Sequence, residues 1–465
     1  MGIFIKYLTY FTIVIAILES FIRLWGSHYV YLTLFPIAYL FSFQSLVKYA
    51  GKGCHYRITV VIVLLMYWIR MVALPIYGIA NGAYLASYGK GNISIAIILC
   101  VYECIVVTLF LYYMNNKKQK AILETNTRVL VGNRLVYTVF LLIVLFIYAN
   151  YGRQIHFFEF FVKDIGTEIE REGDIVNSRY LIIRQFISSG ILFTFFILID
   201  LFRKHYVFSK RRIYVFLGII LAIMLVGIIS GERRTSQVYT AFASCWLLIN
   251  IFPNYKRRIV LSISSIALFV LVMMTIYKQY NAFLYDTYEE ALENKTLAQG
   301  FSLGLMDAYY NGINTVSKNL YFGSDENLSI TNLLYDFARS IFGLSYLLKD
   351  KMMLTVELYN YRIYGGEQTN GFLFSSISYG YIYLGFLLSP LFTIISVWVA
   401  LFLERKMRVA KSIEMTYILA IVYMRFAFGF LGAFPPLLNM ASRYLIINGS
   451  IFAIASFPNW VKKHI

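Results

Sequence analysis

The chain has 465 residues, of which 59% are hydrophobic, 14% charged and 18% aromatic. Ordinary globular domains carry about 25% charged residues; a soluble core cannot hide this much apolar surface, so a set of soluble domains is excluded and lipid must solvate most of the chain. The formal net charge is +18, but the basic residues sit in short clusters between apolar runs, which orients membrane helices rather than gripping nucleic acid.

A helix crossing the hydrocarbon needs about 20 mostly apolar residues. About twelve such runs occur, near 4–23, 29–48, 58–79, 92–113, 134–150, 180–202, 213–231, 236–252, 259–278, 371–403, 413–431 and 437–457. The first follows Lys6 and lacks a small-residue cleavage site, so it reads as a retained helix. The tenth is overlong and predicts a helix that tilts or projects beyond the bilayer. The expected fold is therefore an all-α, polytopic integral membrane protein of about twelve spans, divided into 1–278, 279–370 and 371–465.

Sidedness follows from the loops. Clusters such as Lys117/Lys118/Lys120, Lys210/Arg211/Arg212 and Lys256/Arg257/Arg258 all fall in even-numbered connections, whereas about 18 of the 24 acidic residues fall in odd-numbered ones. The positive-inside rule then puts both termini in the cytoplasm. Two outer segments are large. The first, about 151–179, is acidic; the second, about 279–370, predicts helices at 286–299 and 331–349, with Leu333, Leu334, Phe337, Ile341 and Leu344 on one apolar face. Structureless loops of that length are uncommon, and a folded cap on the outer membrane face is expected.

Charged residues at membrane depth are expensive and point to function or to pairing. Glu19 with Arg23, and Arg70 with Glu103, read as pairs; Arg184, Arg425 and Arg443 are further cases. The most pointed local feature is Ser230-Gly231-Glu232-Arg233-Arg234-Thr235-Ser236, a short outer turn whose positive charge opposes the orienting rule. It places Arg233 and Arg234 at a helix N-terminus, where backbone donors and the helix dipole already favour an anion, and a guanidinium fork suits phosphate. Arg339, Arg179 and Arg443 could join them in one outer cavity. Several soluble-enzyme signatures are missing: there is no GxxxxGK[ST] loop, HExxH or Asp-x-Asp pattern. Chemistry on the outer face would be metal-independent and cofactor-free, with arginines bearing leaving-group charge and Glu367 or Glu232 as base. The four cysteines, Cys54, Cys100, Cys104 and Cys245, form no disulfide framework.

With these features the chain resembles the Wzy-type O-antigen (oligosaccharide repeat-unit) polymerases of bacteria. The likeness rests on the topology, on Gly231-Glu232-Arg233-Arg234 opening a span, and on Gly365-Gly366-Glu367-Gln368-Thr369-Asn370-Gly371 leading into Tyr379-Gly380-Tyr381-Ile382-Tyr383-Leu384-Gly385-Phe386. The resemblance implies a glycosyltransferase of the bacterial inner membrane that polymerises undecaprenyl-pyrophosphate-linked repeat units on its outer face. It also implies arginines on the pyrophosphate, matching Arg233 or Arg234 and then Arg339 and Arg443, and a partner protein that regulates chain length. The related O-antigen ligases carry a functional His before a late span; here that stretch reads Glu367-Gln368-Thr369-Asn370. A transporter or flippase of lipid-linked oligosaccharide, or a ligase-like glycan transferase, are the competing readings.

Overall fold

The computed structural model describes residues 3–51, 54, 56–80, 92–117, 128–155, 178–228, 234–279, 303–348, 351–364 and 374–464. These are almost entirely helical. In chain order the helices are α1 (Ile3–Arg23), α2 (Leu34–Leu46), α3 (Arg57–Trp68), α4 (Leu74–Ala80), α5 (Ile93–Asn116), α6 (Arg134–Ile155), α7 (Ser178–Ser209), α8 (Ile213–Gly227), α9 (Arg234–Ile251) and α10 (Lys256–Gln279). Then come α11 (Leu303–Tyr309), α12 (Ile313–Asp325), α13 (Ile330–Arg339), α14 (Leu344–Leu348), α15 (Thr355–Tyr364), α16 (Ser376–Leu388), α17 (Leu391–Val409), α18 (Ile413–Gly429) and α19 (Phe434–His464).

Among the described residues, seven helical stretches are long and apolar enough to cross a membrane, or eight if the bent pair α16 and α17 is one span. The protein is thus an all-α, membrane-embedded chain. The remaining apolar runs of the sequence are also helical but shorter or more polar: α8 has 15 residues, α18 has 17 and carries Glu414 and Arg425, and α9 opens on Arg234-Thr235-Ser236-Gln237. The tenth run departs from expectation. It is not one tilted helix but two, bent by 105° at the break between α16 and α17. Gly385 takes a left-handed φ of +74° within α16, which a residue without a Cβ adopts freely, and Pro390 lacks the N–H that would continue the helix.

The chain divides into two compact units. The first comprises Met1–Ile122, Phe301–Arg405 and Tyr423–Ser442. Within it α2 packs on α5 and α1, while α12 lies against α5, α15 and α16. Two aromatic groups weld the 303–364 region to the apolar helices. Phe322, Tyr359 and Phe374 meet with ring centroids 5.1–6.0 Å apart, and Phe337 sits 5.6 Å from Phe392 and 5.7 Å from Phe434. Two extended stretches also pair: Ser375 bridges Gly432 in antiparallel fashion, with Ser376 N–H donating to the Leu431 carbonyl and Ala433 N–H to the Phe374 carbonyl, each at 2.8 Å.

The apolar face expected over 331–349 is split. Leu333 is buried and Phe337 packs inward, but Leu334, Ile341 and Leu344 are exposed. The helix stops at Arg339, where the Ser340 hydroxyl donates to the Asp336 carbonyl, and Gly343 has φ +98°, so the later residues leave the original helical register.

The second unit comprises Leu123–Gly300, Lys406–Val422 and Arg443–Ile465. Its helices α6 to α10 pack on their chain neighbours. Glu414 organises one end of it: the carboxylate accepts Gly132 N–H at 2.8 Å, Val131 N–H at 3.1 Å, the Tyr137 hydroxyl at 3.0 Å and the Ser412 hydroxyl at 2.8 Å. Asp200 is similarly saturated, by Arg134 at 2.6 Å, Arg203 at 2.8 Å and Lys204 at 3.1 Å.

Candidate functional site

The polar side chains of the first unit gather where the 303–364 region meets α16. Helix α13 begins with a capping box, Ser329 and Asn332 satisfying each other's backbone groups, which fixes its register. That register turns Asp336 inward and puts Arg339 one turn further on, toward α15. Asp336 is almost wholly buried and accepts Thr355 N–H at 3.0 Å and the Tyr379 hydroxyl at 2.7 Å. Burial pushes its carboxyl above the ordinary Asp range, against the Thr355 and Tyr379 hydrogen bonds that favour the charged form; the neighbouring Glu357 charge adds to the rise.

Arg339 presents both guanidinium Nη atoms to Glu357, at 2.7 and 3.1 Å, and Nη1 also donates to the Met352 carbonyl at 3.3 Å. Glu357 in turn accepts Leu354 N–H at 3.0 Å. The Arg339 side chain is 13% exposed and that of Glu357 35%, so the fork is reachable from outside while Asp336 beneath it is not. A bidentate guanidinium–carboxylate contact of this geometry is the one a phosphate or pyrophosphate would contest.

A second polar group lies deeper. Arg70 sits on a π turn, Ile69–Ala73, between α3 and α4, a distortion frequent at functional positions. Its Nη1 pairs with Glu103 and its Nη2 donates to Cys100 Sγ at 2.9 Å. Thr393 donates to the other Glu103 oxygen at 2.5 Å. The pair expected between these neighbouring spans is therefore present, fully buried. Asp307 of α11 reaches Thr315 N–H at 2.7 Å, Thr315 Oγ1 at 2.9 Å and Asn314 N–H at 3.3 Å, capping α12, whose N-cap residue Gly312 has no side chain to do so. Burial lifts the Asp307 carboxyl above the ordinary Asp range, opposed by these hydrogen bonds and by the Arg70 charge.

The sequence-predicted site residues distribute as follows. Glu367, Glu232 and Arg233 lie outside the described residues. Arg234 is the first residue of α9, so Thr235 and Ser236, expected to cap the helix, lie within it, and Arg179 stands in the first turn of α7; the Arg234 and Arg179 side chains lie outside the described set. Arg443 lies in α19 within the second unit, partly buried, and Arg339 in the first. Glu19 and Arg23 form an exposed i,i+4 pair at 2.6 Å. Asp336, Glu357, Thr355 and Tyr379 are the residues that sequence reasoning missed. Tyr379 stood within the quoted Gly/aromatic motif, but nothing in a single sequence joins it to Asp336. Among the described residues, no three His, Cys, Asp or Glu side chains are grouped to hold a metal ion. Set against known proteins, the chain matches no family model, no curated protein and no solved structure.

Proposed function

We propose that this protein is a membrane glycosyltransferase that polymerises undecaprenyl-pyrophosphate-linked oligosaccharide repeat units, without metal, on the outer face of a bacterial inner membrane. The topology that goes with it is about twelve spans with both termini in the cytoplasm. The observation that carries the reading is the Arg339–Glu357 fork, a guanidinium and a carboxylate engaged face to face at an accessible place beside the membrane helices.

In this reading the donor pyrophosphate takes the Arg339 fork and releases Glu357. The acceptor hydroxyl oxygen attacks the donor's anomeric carbon; the carbon–oxygen bond to pyrophosphate breaks, the leaving group carries away the electron pair, and the hydroxyl proton passes to Glu357. Charge grows on the pyrophosphate as the bond breaks, so a guanidinium placed beforehand stabilises the transition state more than the ground state. Arg233, Arg234, Arg179 and Arg443 are further candidates for binding pyrophosphate, and Glu232 and Glu367 remain candidate bases.

A flippase for lipid-linked oligosaccharide is the second reading, favoured by the broken α16–α17 pair, since interrupted helices commonly build transporter sites. Deletion in the native host, with surface glycan resolved on a gel beside the complemented strain, separates the two. A ladder that collapses to a single repeat unit supports the polymerase; loss of the repeat altogether supports the flippase; an unchanged ladder sinks both for that glycan.

A further inference from the structure

Helix α13 is turned the opposite way from a surface helix of a water-soluble domain. Its charged side chains face inward, Asp336 to Tyr379 and Arg339 to Glu357. Its outward side is aliphatic: Ile330 and Leu334, one turn apart, are both exposed, Leu334 by 65%. The apolar surface continues past the end of the helix, where Ile341, Leu344 and Tyr346 are exposed and Leu347 is 75% exposed. Residues 340–348 carry no charge. A contiguous apolar surface of this kind marks contact with a partner or with lipid.

Two sets of contacts fix the height of this surface against the apolar helices. The Phe337 ring lies 5.6 Å from that of Phe392. The next residue, Thr393, donates to Glu103, which stands ten residues into α5, about 15 Å from its start at Ile93. On the other side, Phe342 N–H donates to the Ser442 hydroxyl, which itself donates to the Ser340 carbonyl, each at 3.1 Å. Ser442 is eight residues into α19, about 12 Å from its start at Phe434. Both α5 and α19 are long and apolar enough to cross a membrane. The segment 330–348 therefore lies alongside these helices, not beyond their ends.

We infer that the outward face of α13 and α14, carried by Ile330, Leu334, Ile341, Leu344 and Leu347, is a lipid-contact surface covered by phospholipid acyl chains. The sequence suggests a cap resting on the membrane; here the 330–348 segment dips into the leaflet beneath it, with Asp336 and Arg339 turned into the protein and away from the lipid. The opposite end of the same region is built for water, since Glu326 and Arg362 form an ion pair there at 2.6 Å with the arginine largely exposed. Acyl chains around the aliphatic face would hold α13 at a fixed height, and with it the Arg339–Glu357 fork. The surface is drawn from packing and exposure alone and does not rest on the polymerase reading.

Nitroxide labels read the surroundings of single positions in the full-length protein, reconstituted in nanodiscs of phosphatidylethanolamine and phosphatidylglycerol. Leu334→Cys and Leu347→Cys are labelled, with Ser324→Cys as the control at an exposed position near the Glu326–Arg362 pair. Each is made in a Cys54→Ser, Cys245→Ser background, because Cys100 and Cys104 are buried and these two are not. The labelled side chains are already exposed, so no packed group is displaced. Collisions with molecular oxygen, which concentrates in lipid, are compared with collisions with a water-soluble nickel chelate. Lipid contact predicts that oxygen dominates at Leu334 and Leu347 and the chelate at Ser324. Chelate access at either leucine position equal to that at Ser324 overturns the surface and restores a water-facing cap. Exclusion of both reagents at either leucine position also overturns it, since another protein or a second copy would then be the cover. No glycan enters the measurement, so its outcome is separate from that of the polymerase assay.

Discussion

No side chain fits between Gly380 and Ser389: a Cβ on the glycine would stand 2.0 Å from the Ser389 carbonyl oxygen. The close approach is what lets α16 fold back toward α17 at 105°. Gly380→Ala should therefore cost about 1–3 kcal/mol, the range for overfilling a packed interior, read as a lower Tm in detergent. Gly449→Ala is the control, since nothing lies within 4 Å of a Cβ there; its Tm should hold or rise. Equal Tm values for the two variants would refute the assigned role of Gly380.

Arg339 offers the most direct test of the proposed chemistry. Arg339→Ala should lower the polymerisation rate about 10²- to 10³-fold, the usual loss when one pre-placed charge-stabilising donor is removed. Arg339→Lys should recover only part of it, because an ammonium lacks the fork. Glu357→Gln should also lose rate, because it removes the proposed proton acceptor. Full-length glycan from Arg339→Ala at normal protein levels would take this residue out of the mechanism.

Arg233→Ala and Arg234→Ala should each leave the protein inserted while shortening or abolishing the glycan ladder, with Lys giving partial rescue. Normal polymer from either variant at unchanged expression would remove that residue from the proposed anion site.

For the buried pair, breaking one side should be worse than removing both. Arg70→Met alone strands the Glu103 carboxylate, and Glu103→Leu alone strands the guanidinium; each should cost roughly 3–5 kcal/mol. The double variant should regain most of that loss. Thermal unfolding of the three proteins in one detergent checks the order, and additive losses would contradict a direct pair.

Asp336 and Asp307 set a pH dependence of definite sign. Folding raises both carboxyl pKa values above the ordinary 3.8, so the folded state holds protons that the unfolded state has released. Their stabilising contribution is complete below that ordinary value and is lost as pH climbs through the raised ones. The part of Tm that these two carboxyls supply should thus fall as pH rises above about 4, and Asp336→Asn should make the measured slope less negative. A slope unchanged by Asp336→Asn would show that this carboxyl titrates normally.

Much of the helical layout was legible because lipid enforces a simple rule: a run of apolar residues has nowhere else to go. Each apolar run became helix, and the Arg70–Glu103 pair followed from two opposite charges stranded on neighbouring spans. The bend at 389–390 was available in Gly385 and Pro390 but was outweighed by the continuous hydrophobicity on either side. Asp336 with Tyr379, Arg339 with Glu357, and Asn319 with Ser375 were not legible. Each joins positions on different helices, and no periodicity encodes which face of one helix meets which face of another.

The pairing of segment 374–376 with 431–433 also sets an order on biosynthesis. Ser376 and Ala433 exchange backbone hydrogen bonds with partners on the opposite stretch, so the start of α16 cannot reach its final state until α18 has been made. At about 5–20 residues per second, the ribosome leaves that stretch waiting for seconds with its backbone groups unpaired. Variants that break this pairing should therefore be lost soon after synthesis rather than once mature, which pulse–chase labelling reads directly.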